Sequence, residues 1–156
     1  MTRRIVLFNI LFVVFCAAGA CAAAPDFSGN WKLNAAKSDF GKFPAPQSSV
    51  RRVTQDSAKV LIVTTQVSAK GEATTRFTYT LDGKAATNQT PTGELKGSAQ
   101  WIGDKLMIES SREVQKTTLT QKDIWTLSPD RKTLTVDSHV GLPNGEFDIK
   151  QVFERE

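Results

Sequence analysis

Few side chains in this sequence could carry out catalysis. The single histidine, His139, adjoins Ser138, but neighbouring residues of a strand point to opposite faces of a sheet, so they could not act as base and nucleophile together. The sequence contains neither a P-loop motif nor a nucleophile elbow of the G-x-S-x-G type. We therefore expect a protein that is not an enzyme.

Metal ligands are equally scarce. Both cysteines, Cys16 and Cys21, lie in the N-terminal segment, so the rest of the chain has no thiolate ligand. Asp123 and Asp137 have no partner that the sequence makes evident, and no calcium-binding loop of the D-x-D-x-D-G type occurs. The sequence predicts neither a metal site nor a cofactor.

Aromatic and polar side chains on strand faces could instead enclose a small molecule. Apolar rings bury the surface of a ligand, and a few polar groups fix its orientation. Tyr79 and Gln151 could orient a polar group in this way. The residues predicted to bind a ligand are Phe77, Tyr79, Trp101, Trp125, Gln151 and Phe153. The alternative is that these side chains form an ordinary packed core.

Strands must position these residues, and the sequence shows the period of two that strands produce. Phe77, Tyr79 and Leu81 alternate with polar residues, and Asp82-Gly83 directly after them is typical of a hairpin turn. Similar segments follow at short, regular intervals. The sequence predicts an all-β fold, an antiparallel up-and-down meander of about 8–10 strands. A closed barrel, with the first strand paired to the last, would leave no exposed edge; a β-sandwich is the alternative.

Residues 1–23 have the pattern of a signal peptide of bacterial type. Arg3 and Arg4 precede an apolar stretch over residues 5–15, and small residues follow it. Residues 24–156 would then form a single β-barrel domain, exported to the periplasm or secreted. Two alternatives are a retained membrane anchor and a tethered lipoprotein with a lipid on Cys21, since small residues precede that cysteine.

The charge of the chain excludes nucleic acid as an expected partner. The net charge is +4, and two of the positive charges, Arg3 and Arg4, belong to the leader. Arg51-Arg52 is the only adjacent pair of arginines after the leader, and we assign it to a solvated strand face. Contact with a membrane is expected only through the leader or a lipid on Cys21, and the sequence does not indicate an oligomeric state.

The stretch around Gly29-Asn30-Trp31 opens the domain, and its G-x-W spacing resembles that of the calycins, the lipocalins and fatty-acid-binding proteins. The resemblance implies a barrel in which Gly29 and Trp31 have a structural role at the closed end. It also aligns Gln151 and Phe153 with the Arg and Tyr that bind the ligand carboxylate in fatty-acid-binding proteins. The charge that would hold a fatty-acid head group is therefore absent at the aligned position, and Arg155 is the alternative if the register shifts by two residues.

The expected function follows from this resemblance. We expect an exported, non-enzymatic binding protein that holds a small apolar or amphipathic ligand inside a calycin-like barrel. The alternative is a solid-core envelope module that acts through protein–protein contacts. The connector over residues 34–47 contains Phe40 and Phe43, which we expect to fold back over the open end of the barrel.

Overall fold

Ten antiparallel β-strands form one sheet in the computed structural model, which describes residues 24–114 and 116–156. A single 3-10 turn, Ala35–Lys37, interrupts the connector after the first strand. The predicted leader, residues 1–23, lies outside the described residues. The strands are β1 Gly29–Leu33, β2 Ser48–Gln55, β3 Lys59–Ser68, β4 Gly71–Thr80, β5 Ala86–Thr90, β6 Gly93–Ile102, β7 Lys105–Val114, β8 Thr117–Leu127, β9 Thr133–Leu142 and β10 Gly145–Arg155.

The strands follow one another around a nearly closed barrel in the order β4-β3-β2-β1-β10-β9-β8-β7-β6-β5. Strand β1 pairs with β10, which places Trp31 opposite Arg155 and Leu33 opposite Phe153. The predicted all-β meander is confirmed, and so is the pairing of the first strand with the last. The β-sandwich alternative does not apply, because a single sheet runs around the core.

The barrel wall is interrupted between β4 and β5, where the predicted Asp82-Gly83 hairpin is wrong. Gly83 has φ of 76°, but Asp82 keeps a negative φ, so the pair does not form a type I′ turn. Asp82 instead pairs with Gln100, and the Gly83 N–H donates to the carbonyl of Ala99 at 2.9 Å. These contacts join the segment after β4 to β6. Strands β4 and β5 do not pair with each other, and they remain the two edges of the sheet.

The closed end of the barrel is built around Trp31, whose indole Nε1 donates to the carbonyl of Phe27 at 2.9 Å. The guanidinium of Arg155 lies 4.3 Å from the Trp31 ring centroid, and its Nη1 donates to the carbonyl of Ser28 at 2.8 Å. Gly29 has φ of +143°, and a Cβ there would collide with the Arg155 guanidinium. The G-x-W stretch therefore lies at the closed end.

The connector between β1 and β2 continues along the edge of β10 that β1 leaves free. The backbones of Asp39 and Lys150 exchange two hydrogen bonds of 2.7 and 2.8 Å. Beyond them the Phe43 ring meets Phe147 edge-on, with 5.6 Å between the centroids. Phe147 lies at the opposite end of β10 from Arg155, so Phe43 reaches the open end of the barrel. Phe40, earlier in the connector, is half-buried.

Strand β3 shows how the alternation divides core from surface. Val60 and Ile62 are buried in the core, whereas Leu61 and Val63 are partly exposed. The apolar run over residues 60–63 is therefore buried on one face only. Along residues 24–114 and 116–156, no helix has the length and apolar character needed to cross a bilayer.

Candidate functional site

A cavity of about 330 Å³ lies inside the barrel, between the aromatic closed end and the open end. Side chains from eight of the ten strands line it, and only β1 and β5 contribute none. Its apolar lining residues are Ile62, Phe77, Tyr79, Leu95, Ile108, Leu119, Trp125, Val140 and Leu142. Its polar lining residues are Arg51, Thr64, Gln66, Thr75, Ser110, Ser111, Arg112, Thr120, Gln121, Asp123 and Gln151. The wall is thus mixed in polarity.

Four of the six residues predicted to bind a ligand line this cavity, namely Phe77, Tyr79, Trp125 and Gln151. The other two lie outside it. Trp101 stacks on Phe27 at the closed end, with 5.9 Å between the centroids, and Phe153 is completely buried. Alternation along a strand identifies the inward face, but it does not show how far along the barrel a side chain lies.

Arg51 lies inside the barrel, so the prediction that it occupies a solvated face is wrong. It pairs with Thr64 across β2 and β3, and its Nε donates to the Thr64 hydroxyl at 3.3 Å. Its guanidinium lies over two rings, 5.0 Å from the centroid of Trp125 and 4.5 Å from that of Phe153. Burial lowers the pKa of Arg51 to about 10, so the side chain is still charged at neutral pH.

A signal for the inward position of Arg51 is present in the sequence. Val53 stands two residues later on the same strand and is buried in the core. Because side chains of a strand alternate, Arg51 must share the face of Val53, while Arg52 faces outward and is exposed. The adjacent arginines therefore have opposite environments.

Two buried N–H groups at the cavity have no acceptor among the described residues. They are Nη1 of Arg51 and Nε1 of Trp125. A buried donor that lacks a partner costs about 1–3 kcal/mol, so such groups are rare in folded proteins. Both side chains line the same cavity, which makes them candidates for contact with a bound molecule.

Asp123 supplies the acidic group of the site. Its two carboxylate oxygens accept from Nε2 of Gln121 at 2.8 and 3.1 Å, and Ser138 on the paired strand adds a further hydrogen bond. Burial raises the pKa of Asp123, and these hydrogen bonds and the charge of Arg51 only partly offset this. Burial and the nearby Asp123 charge also raise the pKa of Tyr79 well above its ordinary range.

His139 takes no part in this site. Its ring is about half exposed, and Nδ1 lies 2.8 Å from a carboxylate oxygen of Asp148 while Nε2 lies 3.5 Å from Glu146. The hydrogen bond to Asp148 raises the pKa of His139. Ser138 is buried on the inner face, so the two neighbours do point apart. No three His, Cys, Asp or Glu side chains cluster as metal ligands in the described part of the chain.

No protein-family model matches the sequence, and a comparison with curated proteins finds no match. Solved structures with the same fold exist. A secretory abundant heat soluble (SAHS) protein of Ramazzottius varieornatus has a TM-score of 0.60 at 11% identity, over 83% of this chain and 94% of that one. The zebrafish ileal bile acid-binding protein complexed with cholic acid gives 0.54 at 18% identity, over 83% and 98%.

A third solved structure is the Schistosoma mansoni fatty acid binding protein in complex with arachidonic acid. Its TM-score is 0.51 at 16% identity, over 83% of this chain and 96% of that one. At such low identity the likeness concerns the fold alone. The predicted resemblance is confirmed at this level, because the ten-stranded, nearly closed barrel has a calycin-type fold.

Proposed function

We propose that this chain is a non-enzymatic binding protein that encloses a small amphipathic molecule inside its barrel. The observation that carries the proposal is the cavity of about 330 Å³ with two unpaired donors, Arg51 Nη1 and Trp125 Nε1, in its wall. Ligand sites in proteins have volumes of about 300–1,000 Å³, so the cavity suits a small ligand.

The distribution of polarity supports an amphipathic ligand over a purely apolar one. Ile62, Phe77 and Ile108 offer apolar surface in the cavity, where the hydrophobic effect would favour a hydrocarbon portion. Arg51 and Asp123 offer polar contacts to the same cavity close to Trp125. Arg51 and Asp123 would contact the polar end of the ligand, and Ile62, Phe77 and Ile108 would contact its apolar portion.

Two of the solved structures with this fold also support a binding role. They hold cholic acid and arachidonic acid, and each of these molecules is amphipathic. The alternative of a solid-core module has less support. The large hydrophobic side chains that are exposed, Val50, Ile102 and Val114, lie on β2 and at opposite ends of β6 and β7, so they form no shared patch among the described residues.

A neutral fluorescent probe tests whether the cavity accepts a molecule. N-phenyl-1-naphthylamine should show enhanced, saturable fluorescence with the purified domain. Thr75→Phe would place a ring in the cavity, because Thr75 lines it, and should abolish the enhancement. Thr74→Phe is the matched control, since Thr74 is the exposed neighbour on the same strand. Loss of the signal in both variants, or in neither, would contradict binding inside the barrel.

Export is a further part of the proposal and rests on residues 1–23 alone. The leader would deliver the barrel to the periplasm or the medium, either free or tethered by a lipid on Cys21. The intact mass of the full chain, expressed in a bacterial host, distinguishes these forms. Cleavage without added mass would support a free exported protein, a diacylglycerol adduct would support the lipoprotein, and an uncut chain would contradict export by cleavage.

A further inference from the structure

Arg51 and Asp123 present opposite charges to the same cavity without forming an ion pair. Arg51 lies on β2 and Asp123 on β8, and three strands separate β2 from β8 in the sheet. Both side chains line the cavity, but no nitrogen of Arg51 lies within 4.0 Å of an Asp123 oxygen. Space therefore remains between a fixed positive group and a fixed acceptor.

The donors and the acceptor lie near one another at the deep end of this space. Trp125 and Asp123 are alternate residues of β8, so their side chains leave the same face about 7 Å apart along the strand. The guanidinium of Arg51 lies 5.0 Å from the Trp125 ring centroid. Two unpaired N–H donors thus stand beside a carboxylate whose own donors, Gln121 and Ser138, come from the protein.

Simple charged head groups fit this arrangement poorly. A carboxylate would accept from Arg51 and Trp125, but it would bring a second negative charge close to Asp123 wherever that carboxyl is ionised. An ammonium group would suit Asp123 and would be repelled by Arg51. A zwitterion would satisfy both, but two further charges would have to leave water for a cavity that is partly apolar.

A carboxamide meets each of these demands without a charge. Its carbonyl oxygen has two lone pairs, enough for Nη1 of Arg51 and Nε1 of Trp125, and its NH2 group can donate to Asp123. We propose that the barrel selects a ligand with an apolar chain and a terminal primary carboxamide over the corresponding carboxylate or amine. The inference rests on the proposed function and specifies the ligand class of the same cavity.

Three ligands with the same chain length test the selection, namely octanamide, octanoate and octylamine. Their affinities are measured at neutral pH by displacement of N-phenyl-1-naphthylamine and by calorimetry. Octanamide should bind about tenfold more tightly than either charged ligand, because each of these faces a like charge. Equal or tighter binding of octanoate, at Arg51 or at Arg112 nearer the rim, would overturn the inference.

Two substitutions separate the roles of the acceptor and the donor. Asp123→Asn removes the negative charge and should raise the affinity for octanoate about tenfold, with a smaller change for octanamide. Trp125→Phe removes one donor and should weaken octanamide severalfold, while Trp101→Phe, the same change outside the cavity, should not. No gain for octanoate in Asp123→Asn would overturn the inference.

The outcomes for the inference and for the proposed function are distinct. If the naphthylamine probe enters the wild-type barrel but octanamide does not displace it, the inference fails and the binding role stands. If neither the probe nor any of the three ligands binds, the proposed function fails and the inference fails with it. Near-ultraviolet circular dichroism of each variant confirms that it is folded.

Discussion

The guanidinium of Arg51 lies 5.0 Å from the ring centroid of Trp125, and each of the two side chains keeps one buried N–H without an acceptor among the described residues. The contact between cation and ring holds Arg51 in place without using its Nη1 donor. Unsatisfied donors of this kind lower stability, and their position at the cavity is the observation on which the proposed binding role rests.

Removing the buried charges should stabilise the empty protein and abolish selective binding. In the double variant Arg51→Met/Asp123→Asn we expect the free energy of unfolding to rise by about 1–2 kcal/mol, because two partly desolvated charges without an ion pair are replaced. Urea denaturation measures this change. A marked loss of stability would show that the charges hold the barrel together.

Arg52→Met is the matched control for the arginine. Arg52 is exposed on the outer face of β2, where its Nε donates to the side chain of Asn30 at 3.1 Å. Surface substitutions usually change the free energy of unfolding by less than about 0.5 kcal/mol, so this variant should match the wild type. It should also bind ligands as the wild type does.

Asp123 should make the stability of the protein fall as the pH rises above the ordinary pKa of an aspartate, 3.8. Burial raises its pKa in the folded state, so the folded protein holds a proton there that the unfolded chain has released. This contribution to the free energy of unfolding is complete below the pKa of Asp123 in the unfolded chain. It is lost as the pH rises through the pKa of Asp123 in the folded protein.

The comparison of wild type with Asp123→Asn isolates this effect. Asp26, Asp130 and Glu154 have lowered pKa values through hydrogen bonds, and they act in the opposite direction in both proteins. The free energy of unfolding of the wild type minus that of Asp123→Asn should therefore fall as the pH rises. A difference that is constant from pH 4 to neutrality (about three pH units) would contradict the raised pKa.

Asn88 should control opening of the gap between β4 and β5. Its side-chain oxygen accepts from the Thr78 N–H at 2.7 Å, and its amide donates to the Thr78 carbonyl at 3.2 Å, as a neighbouring strand would. Asn88→Ala should lower the free energy of unfolding by about 1–3 kcal/mol, because these backbone groups lose their partner. Hydrogen exchange at Thr78 should become faster.

Gln89→Ala is the control for the gap. Gln89 is exposed, and its side chain bonds only to Glu94 on β6 among the described residues. Exchange at Thr78 should be unaffected in this variant. If Asn88→Ala also leaves that exchange unchanged, the side chain does not close the gap.

Arg155 should stabilise the closed end in a way that lysine cannot reproduce. Its guanidinium lies over Trp31 and donates to two backbone carbonyls, those of Ser28 at 2.8 Å and Arg131 at 2.9 Å. A lysine ammonium lacks the planar fork, so Arg155→Lys should cost about 1–3 kcal/mol in a denaturation experiment. Arg52→Lys, on the exposed face of β2, should be close to neutral.

The sequence predicted the meander of strands and the inward face of several of them. Alternation around Phe77 and Tyr79 shows which side chains face the core, and this holds on any twisted or curved sheet. The G-x-W stretch predicted both the fold type and the closed end, because Gly29 admits the Arg155 side chain that covers Trp31. These features depend on residues that are close together in the sequence.

The features that sequence analysis missed depend on contacts between distant strands. Arg51 lies inside the barrel rather than in solvent, and the sequence does not show that β8 brings Asp123 to the same cavity. Asp82-Gly83 has the composition of a hairpin turn, but Gln100, eighteen residues later, pairs with Asp82. Curvature of the sheet decides which inward residues border open space, so Trp101 could not be told from Trp125.

The order of the strands also has a consequence for how the chain folds. Every strand pairing in the described structure joins neighbours in the sequence except that of β1 with β10, where Trp31 faces Arg155. Hairpins can form as soon as their own residues are free, but the pairing of β1 with β10 joins strands that are far apart in the sequence and needs both of them. During synthesis the sheet is therefore an open ribbon until β10 emerges and pairs with β1 around the cavity.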